Sequence, residues 1–434
     1  MNMATDKQDK VLNVPNKREQ SQTCLNSAER AGLRPKGNVP TLRFPEFTEE
    51  WTECELQDIA SISKGAGISK DQLSDTGEPC ILYGELYTKY KSEVITDVLS
   101  KTDIDTTNLV RSKANDVIIP SSGEAAIDIS TARCVPYDSI LLGGDLNIIR
   151  LKNQDGRFYS YQLNGVRKLD IAQIAQGVSV VHLYGESLKR LQVRFPSKSE
   201  QEKISSSLSA IDERIATQIR IIEDLRSLKE YIHNRVYSKE NTLFGERCSI
   251  RLSDIATKIT RKNKGNTINN VLSNSAAMGI VPQAEVFDKE IANEDNTANY
   301  YVIGNGDFVY NPRKSAQAPF GPVNMYKGQA EGIISPLYLC FQVTNINKNY
   351  LLHYFMSNVW YSYIYSNGDT GVRHDRVSIK DETFLDMPLY IHTVDKQQEI
   401  ANMMEQVDAK VALEELYLSK LQKQKDYLLA AMFV

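Results

Sequence analysis

A long amphipathic helix that occurs twice is the feature that most constrains this chain. Ser199–Val236 carries apolar residues at heptad spacing without proline or glycine, and the same pattern returns 196 positions later. Gln218 and Lys229 interrupt the first apolar seam, and Glu414 and Lys425 interrupt the second at the matching positions. A gapless match that includes its polar exceptions predicts a tandem duplication. The predicted seam consists of Ile204, Leu208, Ile211, Ile215, Ile222, Leu225, Ile232 and Val236 in the first helix and of Ile400, Met404, Val407, Val411, Leu418, Leu421, Leu428 and Met432 in the second.

The predicted helix starts carry capping boxes. Ser199 with Glu202, and Asp395 with Gln398, have the residue types and the spacing that satisfy unpaired backbone donors of a first turn. His233 lies on the first helix, where we expect it to be solvated or to flank the seam.

The globular parts repeat as well. Leu56-Gln57-Asp58-Ile59-Ala60 recurs as Leu252-Ser253-Asp254-Ile255-Ala256, again 196 residues later, whereas the loops between such anchors differ. Short strand-like runs mixed with helices, among them Val117–Ile119 and Leu146–Leu151, predict an α+β fold. Longer helices are expected over Phe158–Ile174 and Tyr350–Ile364. The expected organisation is a polar, mobile leader over 1–40, a globular domain over 41–196, a long helix over 197–240, a second globular domain over 241–388, and a second long helix over 389–434.

Two similar halves in one chain can close as a pseudo-dimer. A pseudo-two-fold relation makes the pairing isologous, so the two long helices would run antiparallel as a coiled coil. A helix of about 38 residues would span roughly 57 Å. That length matches about 17 base pairs of B-DNA at about 3.4 Å per pair, so two readers at its ends would meet two short sites with unread sequence between them.

Composition excludes several classes of protein. The chain has 434 residues and a net charge of −4, which argues against a simple basic nucleic-acid binder. No run is long and apolar enough for a membrane span, and the polar N-terminus lacks a signal-peptide core. The six cysteines are scattered without a CxxC pair, so neither a zinc site nor a disulfide framework is expected, and a cytoplasmic location fits.

Motifs for catalysis are weak. Asn311-Pro312-Arg313-Lys314 begins like the loop that holds a flipped base in adenine methyltransferases, but arginine and lysine stand where that loop needs proline and an aromatic residue. No glycine-rich phosphate loop is present, and the five histidines lack metal-ligand spacing. We therefore predict no catalytic residue and no metal ligand in this chain.

The residues carry a resemblance to a known family. Leu42-Arg43-Phe44-Pro45-Glu46-Phe47 with Trp51, the two repeated Leu-x-x-Ile-Ala segments, and Phe195-Pro196 before Glu200-Gln201-Glu202 resemble the specificity subunits of type I restriction–modification systems. The resemblance extends from about residue 40 to the end. In the second copy the proline comes earlier, and Lys396-Gln397-Gln398-Glu399 lacks the Glu-Gln pair in its usual form.

The resemblance implies a function and partners. Each globular domain would be a target-recognition domain that reads one half of a bipartite site in double-stranded DNA. The paired helices would set the separation and dock two adenine-methyltransferase subunits, and through them a motor/nuclease subunit. S-adenosylmethionine, ATP and magnesium would then belong to the partner subunits, and this chain would be non-catalytic and not bound to a membrane.

Candidate DNA contacts are polar, aromatic or basic residues on the loops that do not repeat. Arginine suits guanine edges, asparagine suits adenine, and lysine more often binds phosphate. The candidates are Lys64, Tyr83, Tyr87, Lys89, Ser121, Ser122 and Glu124 in the first domain, and Arg261, Lys262, Asn263, Asn274, Arg313, Lys314, Arg373, His374 and Arg376 in the second. For each of them, and for Tyr83 in particular, a surface or packing role is the alternative.

Two other functions stay open at this point. The negative net charge also suits a coiled-coil scaffold with two protein-binding heads and no DNA contact. An enzyme that modifies DNA by itself is a minor third reading, which methyl transfer by the isolated chain would establish.

Overall fold

A computed structural model describes residues 37–285, 294–369 and 375–434 of the chain. The residues form two units, and each takes part of both long helices. Of the described residues, the first unit comprises 37–219 together with Leu416–Val434, and the second comprises those between Arg220 and Glu415. Most of the predicted leader, residues 1–36, lies outside the described residues.

The strands and short helices of the first unit precede the first long helix. Their bounds are β1 Thr52–Glu55, α1 Leu56–Ile59, β2 Ala60–Lys64, β3 Glu78–Ile81, α2 Glu85–Thr88, β4 Ser100–Thr102, β5 Asp116–Pro120, β6 Ser122–Gly123, α3 Ala126–Ile129, β7 Arg133–Val135, β8 Leu141–Leu142, β9 Leu146–Leu151, α4 Gly156–Asn164, α5 Lys168–Ile174, β10 Val181–His182, α6 Gly185–Lys189 and β11 Gln192–Phe195, with a 3-10 turn at Lys70–Gln72. A four-stranded sheet, β2-β9-β5-β7, is antiparallel throughout. The other sheets are β4-β3-β8, with β3 and β8 parallel, and the pairs β1-β11 and β10-β6.

The first long helix and the elements of the second unit follow. Their bounds are α7 Lys198–Tyr237, β12 Arg247–Arg251, β13 Ala256–Lys258, β14 Val271–Ser275, β15 Gly279–Pro282, β16 Tyr301–Ile303, β17 Phe308–Tyr310, β18 Val323–Met325, β19 Gly332–Ile334, β20 Leu339–Val343, α8 Lys348–Met356, α9 Tyr361–Asn367, α10 Asp381–Leu385, β21 Pro388–His392 and α11 Val394–Ala431, with 3-10 turns at Leu252–Asp254, Gln283–Glu285 and Glu294–Asn299. The sheets are β13-β20-β17-β18, β15-β14-β19-β16 and β12-β21. Strands β14 and β19 are parallel, as β3 and β8 are in the first unit.

The two units therefore share most of their topology, although the sheet with the parallel pair has three strands in the first unit and four in the second. An antiparallel sheet, a second sheet with one parallel pair, and a two-stranded ribbon occur in the same chain order in each. This agrees with the predicted α+β fold and with the duplication that the sequence indicates.

The predicted long helices are present, but their predicted starts are wrong by one residue. Lys198 and Val394 begin α7 and α11, so Ser199 and Asp395 lie inside the first turn instead of capping it. The reason is tertiary, because a glutamine in each first turn is bonded to the preceding domain. Gln201 donates to Pro196 O at 2.9 Å and accepts from Asp155 N at 3.1 Å.

The second copy repeats this glutamine contact. Gln397, 196 residues after Gln201, donates to His392 O at 2.8 Å and accepts from Asn347 N at 2.9 Å. Asn347 and Asp155 are the N-cap residues of α8 and α4. The second copy thus keeps the role of the glutamine although it lacks the usual Glu-Gln pair.

Within each unit the two helix segments run antiparallel. In the first unit Lys425 Nζ lies 2.6 Å from Asp212 Oδ1, and Arg214 donates to the hydroxyl of Tyr417 at 2.8 Å. In the second, Lys229 Nζ lies 2.6 Å from Asp408 Oδ1, and Arg226 lies 2.6 Å from Glu415. In both units the partner number falls as the residue number on α7 rises. Lys229 and Asp212 recur in the sequence as Lys425 and Asp408, so one repeated ion pair joins the helices in both units.

The structure buries the predicted seam in whole or in part. Buried seam residues are Ile204, Leu208, Ile211, Ile222, Val236, Ile400, Met404, Leu421 and Met432, and half-buried ones are Ile215, Leu225, Ile232, Val407, Val411, Leu418 and Leu428.

Each domain core is completed by the C-terminal end of a long helix. Phe433 packs on Trp51 and Phe158 in the first unit, with ring centroids 6.4 and 5.1 Å away. Tyr237 packs on Tyr350 and Tyr354 in the second, at 5.1 and 5.5 Å. Since Tyr237 and Phe433 are also 196 residues apart, this contact belongs to the repeat.

Two predicted helices are each broken in two. The segment predicted as one helix, Phe158–Ile174, contains two helices, α4 and α5, in the structure. Gly165 ends α4, and the Asn164 side chain bonds both backbone groups of Ala132 at 2.8 Å. The segment predicted as a second helix, Tyr350–Ile364, likewise contains parts of two helices, α8 and α9. Ser357 caps α8 by donating to Tyr354 O at 2.6 Å.

His233 is not solvated, contrary to the expectation. It is buried, and its Nε2 lies 3.1 Å from Nδ1 of His353 on α8. Burial lowers the pKa of both histidines to about 4, and Lys229 acts in the same direction on each. Amphipathic spacing alone did not indicate this contact, because His353 is distant in sequence.

Candidate nucleic-acid interface

Three strands of the first unit's main sheet have ends at one edge, here called the first sheet edge. Strand β2 ends at Lys64, β9 begins at Leu146 and β5 ends at Pro120, because these neighbours are antiparallel. Backbone bonds join the loops that leave this edge, including Ser121 N to Asp145 O at 2.7 Å. The predicted candidates Lys64, Ser121 and Ser122 therefore meet here, where loops project from a rigid frame.

Two tyrosines predicted as candidates lie beside the same loop. The hydroxyl of Tyr87, on α2, is so close to Gly123 that a Cβ at that glycine would lie 3.7 Å from it. Partial burial raises the pKa of Tyr87, and its neighbours Tyr83, Asp128 and Glu124 raise it further. The structure thus brings Tyr83, Tyr87 and Glu124 together with the Ser121–Gly123 loop.

Lys89 is held at a different point. Its ammonium group lies 2.6 Å from Glu85 and 3.1 Å from the hydroxyl of Ser100, so its charge is already paired within the domain. Ser121 and Ser122 are also buried for the most part, whereas Lys64 is exposed.

A hairpin that the prediction missed stands next to these loops. Gln176 and His182 exchange both backbone hydrogen bonds, at 2.9 and 2.7 Å, and define the first hairpin, Gln176–His182. Gly177 turns the chain at φ +125°, and a Cβ there would lie 2.1 Å from Val180 O. Strand β10 of this hairpin also pairs with β6, with His182 opposite Ser122.

The outer face of the first hairpin is apolar and aromatic. Val180, His182 and Tyr184 alternate with the buried Val181 and Leu183, so the first three point outward. The rings of His182 and Tyr184 stack with centroids 6.0 Å apart. Period-two alternation after Gly177 was a signal for this strand, but nothing in the sequence indicated its place beside Ser122.

The second unit has a corresponding second sheet edge. Strand β13 ends at Lys258, β20 begins at Leu339 and β17 ends at Tyr310. The chain after β17 pairs with the segment before α10, with Arg313 opposite Arg376.

Three of the predicted basic residues meet at the second sheet edge. Backbone bonds from Lys314 N to Asp375 O and from Val377 N to Pro312 O, 2.8 and 2.9 Å long, hold these residues close. Arg313, Lys314 and Arg376 therefore form one basic group. Tyr338 lies near it: burial raises the pKa of Tyr338, and the positive charges of Arg313 and Arg376 act in the opposite direction. Tyr338 was not predicted, because its position depends on β20. The candidates Arg373 and His374 lie outside the described residues.

The other candidates of the second unit lie away from this group. Arg261 forms two bonds with Glu331, at 2.5 and 2.8 Å, and Lys262 donates to Asn299 at 3.4 Å, both beside β16 of the other sheet.

Two candidate asparagines are structural. Asn263 is buried, and its amide holds the turn by bonding both backbone groups of Ile268. Asn274 is only 2% exposed and donates to Val309 O at 2.7 Å. Neither asparagine presents its amide to solvent. The sequence did not indicate this, because residue type does not distinguish an exposed turn from an interior strand.

The methyltransferase-like Asn311 is likewise engaged within the domain. It is buried, donates to Asn274 O at 2.9 Å, and accepts from Arg313 N at 3.0 Å. Across the described ranges, no three His, Cys, Asp or Glu side chains cluster closely enough to hold a metal ion. Nor does the described part of the chain contain a helix with the length and apolar character that a membrane crossing requires.

Comparison with known proteins indicates the class of this protein. Residues 48–226 match the family described as type I restriction modification DNA specificity domain. The S subunit of a type I restriction–modification system from M. genitalium has a similar fold, with a TM-score of 0.54, 15% identity, and coverage of 91% of this chain and 99% of that chain.

A second solved structure gives the same result. It comes from work on complex assembly and conformational transition of the type I R-M system, with a TM-score of 0.55, 14% identity, and coverage of 88% of this chain and 97% of that chain. A search of curated protein sequences finds no match.

The first unit therefore carries a type I DNA specificity domain, and the fold of the solved specificity subunits extends over both units. The match confirms the resemblance for residues 48–226, which carry a type I restriction modification DNA specificity domain. Its role is recognition of a DNA sequence.

Proposed function

We propose that the chain reads a bipartite DNA target with one reader in each unit. The observation that carries this proposal is a repeated frame with different chemistry at the same place. The first sheet edge presents Lys64, tyrosine and the apolar first hairpin, whereas the second presents Arg313, Lys314 and Arg376. Two readers with different side chains would read different half-sites.

The basic group of the second unit is suited to guanine edges and phosphates. With a net charge of −4, however, the chain has little general attraction for DNA. Tight binding would therefore need the phosphate contacts of partner subunits.

The paired helices are proposed to dock methyltransferase subunits. Large apolar side chains remain exposed on these helices in both units, which is typical of an interaction surface. They are Leu416, Tyr417 and Tyr427 in the first unit and Ile221, Leu228, Tyr231 and Leu413 in the second. One such group in each unit suits two methyltransferase subunits, and a motor/nuclease subunit would join through them.

The chemistry is proposed to belong to those partners. S-adenosylmethionine, ATP and magnesium would be bound there, and the chain itself would be non-catalytic. The engagement of Asn311 within the second unit supports this assignment. The isolated chain with S-adenosylmethionine should transfer no methyl group to DNA, and transfer would contradict the assignment.

Domain exchange tests the two-reader proposal. Methylome sequencing of a host with the gene and its methyltransferase, against a deletion of this gene alone, gives the motif. Replacing residues 41–196 with the corresponding segment of another family member should change one half of that motif only. A change in both halves, or in neither, would contradict separate readers.

Docking is tested by the number of methyltransferase subunits bound. Leu228→Glu with Tyr231→Glu should reduce the complex from two methyltransferase subunits to one, measured by native mass spectrometry. Tyr427→Glu, on the other helix, should also remove one methyltransferase subunit, both alone and when combined with the first two substitutions. Two bound subunits in both variants would exclude these faces.

A further inference from the structure

We propose that the first hairpin reads thymine through the C5-methyl group, so that Val178 and Val180 are specificity-determining residues of the first unit. The inference rests on the proposed function, in which the first unit reads one half-site. It adds the base that this unit recognises and the side chains that recognise it.

The exposure of the hairpin tip carries the first step. Val178 is 96% exposed and Val180 is 53% exposed, although an apolar side chain is ordinarily shielded from water in a folded protein. Val180, His182 and Tyr184 form a row of apolar and aromatic groups on one face, and Val178 lies in the turn at its end. A contiguous row of this kind marks a binding surface.

The position of the row identifies its occupant. Through the β10-β6 pairing, His182 lies opposite Ser122, next to the loop that also meets Tyr87. The row therefore continues the first sheet edge, in a domain that belongs to a DNA specificity family. DNA in contact with this edge would meet the hairpin tip at the same time.

The chemistry of the base edges identifies thymine. In the major groove the bases present hydrogen-bond donors and acceptors, except for the C5-methyl of thymine, which is apolar. An apolar tip gains from that methyl group and gains nothing from a donor or acceptor. Three of the polar candidates nearby are less available, because Ser121 and Ser122 are mostly buried and Lys89 is paired with Glu85.

The second unit supports the assignment by contrast. The segment next to its sheet edge carries Arg376 opposite Arg313, which suits guanine or phosphate. Among the described residues, the second reader thus offers charged groups where the first offers apolar ones.

The test removes one methyl group from the DNA, and the γ-methyl groups of Val178 and Val180 from the protein. Duplexes carry the motif obtained by methylome sequencing, with the half-site of the first unit assigned by domain exchange. Each thymine of that half-site is replaced in turn by deoxyuridine, which lacks only the C5-methyl. Binding of the complex of this chain with its methyltransferase is measured at one fixed salt concentration, together with the initial rate of methylation.

We expect at least one deoxyuridine to weaken binding about fourfold, the effect of one buried methyl group. In V178A/V180A the intact duplex should bind at least about fourfold more weakly. The deoxyuridine that affects the unaltered chain should then have no further effect. Leu243→Ala, which truncates an exposed leucine after α7, is the matched control and should behave as the unaltered chain.

Three outcomes overturn the inference. A half-site without thymine on either strand does so, as does sequence-specific binding that is insensitive to every deoxyuridine. If V178A/V180A loses the methyltransferase during purification while the deoxyuridine effect is unchanged, the row is a protein contact. The proposed function fails separately, by absence of sequence-specific binding to the unmodified duplex.

Discussion

In the first unit the segment beside the sheet edge presents valine, histidine and tyrosine, whereas the matching segment of the second presents Arg376 next to Arg313. The strands beneath these segments have the same order and direction in both units. The packed frame tolerates little change, because its strands, helix ends and glutamine contacts support one another. Loops on the surface carry no such constraint, so the two copies diverged there.

The two units also differ in how deeply the ion pair between their long-helix segments is buried. The repeated Lys–Asp pair is largely buried in the first unit, where Lys425 is 13% exposed and also lies 2.5 Å from Glu93. In the second unit Lys229 is 28% exposed and pairs with Asp408. Burial decides how much such a pair matters, because an unpaired charge costs far more away from water.

The largest expected effect comes from breaking these two pairs. Lys425→Ala removes the ammonium group that lies against both Asp212 and Glu93, and should lower the free energy of unfolding of the first unit by about 3–5 kcal/mol. Lys229→Ala should lower that of the second by only about 1 kcal/mol. Amide hydrogen exchange of β5 and β17, followed by mass spectrometry, measures each unit separately. Equal losses would show that burial does not distinguish the pairs.

The buried histidines make the second unit sensitive to acid. Burial lowers the pKa of His233 and His353 from the ordinary 6.5 to about 4. The neutral pair therefore stabilises the second unit fully above pH 6.5, and this stability is lost as the pH falls from 6.5 towards 4, by about 3 kcal/mol for the first proton.

The first unit has no such histidine pair. There Tyr161 on α4 donates to Asp212, which is the repeat partner of Asp408, at 2.7 Å. His353→Gln should flatten the pH dependence of exchange in the second unit and leave that in the first unchanged. An unchanged slope in the variant would remove the histidines as its cause.

The two glutamines should show similar effects, because each bonds one backbone N–H and one backbone C=O of the preceding domain. Gln201→Ala and Gln397→Ala each leave a buried N–H and a buried C=O without their partner, so each should cost its own unit about 2 kcal/mol. Urea unfolding with exchange readout measures this, with the exposed Gln424→Ala as a control expected to cost nothing. Clearly unequal losses would mean that the two helix starts are held differently.

The last comparison concerns DNA binding by the second unit. Arg376→Gln or Arg313→Gln should weaken binding of the methyltransferase complex about tenfold, or about 1.4 kcal/mol, at the half-site of the second unit. Arg261→Gln is the control, since Glu331 holds Arg261 at another sheet and no loss is expected. Equal losses from Arg261 and Arg376 would place the DNA elsewhere.

The local predictions of strands were accurate where a buried run had clear turns on both sides. The expected strands at Val117–Ile119 and Leu146–Leu151 are β5 and β9. The helix breaks at Gly165 and Ser357 were missed, because each depends on capping contacts as well as on residue type. The candidate DNA contacts themselves remain predictions.

Sequence alone determined the duplication, the two long helices and their seam, because heptad spacing and a fixed 196-residue interval are properties of the chain itself. Tertiary structure decided which loops meet. It buried Asn274, placed the first hairpin beside Ser122 and set Arg376 against Arg313. Residue type states what a side chain is able to bind, but its burial and its neighbours follow from pairing between strands distant in sequence.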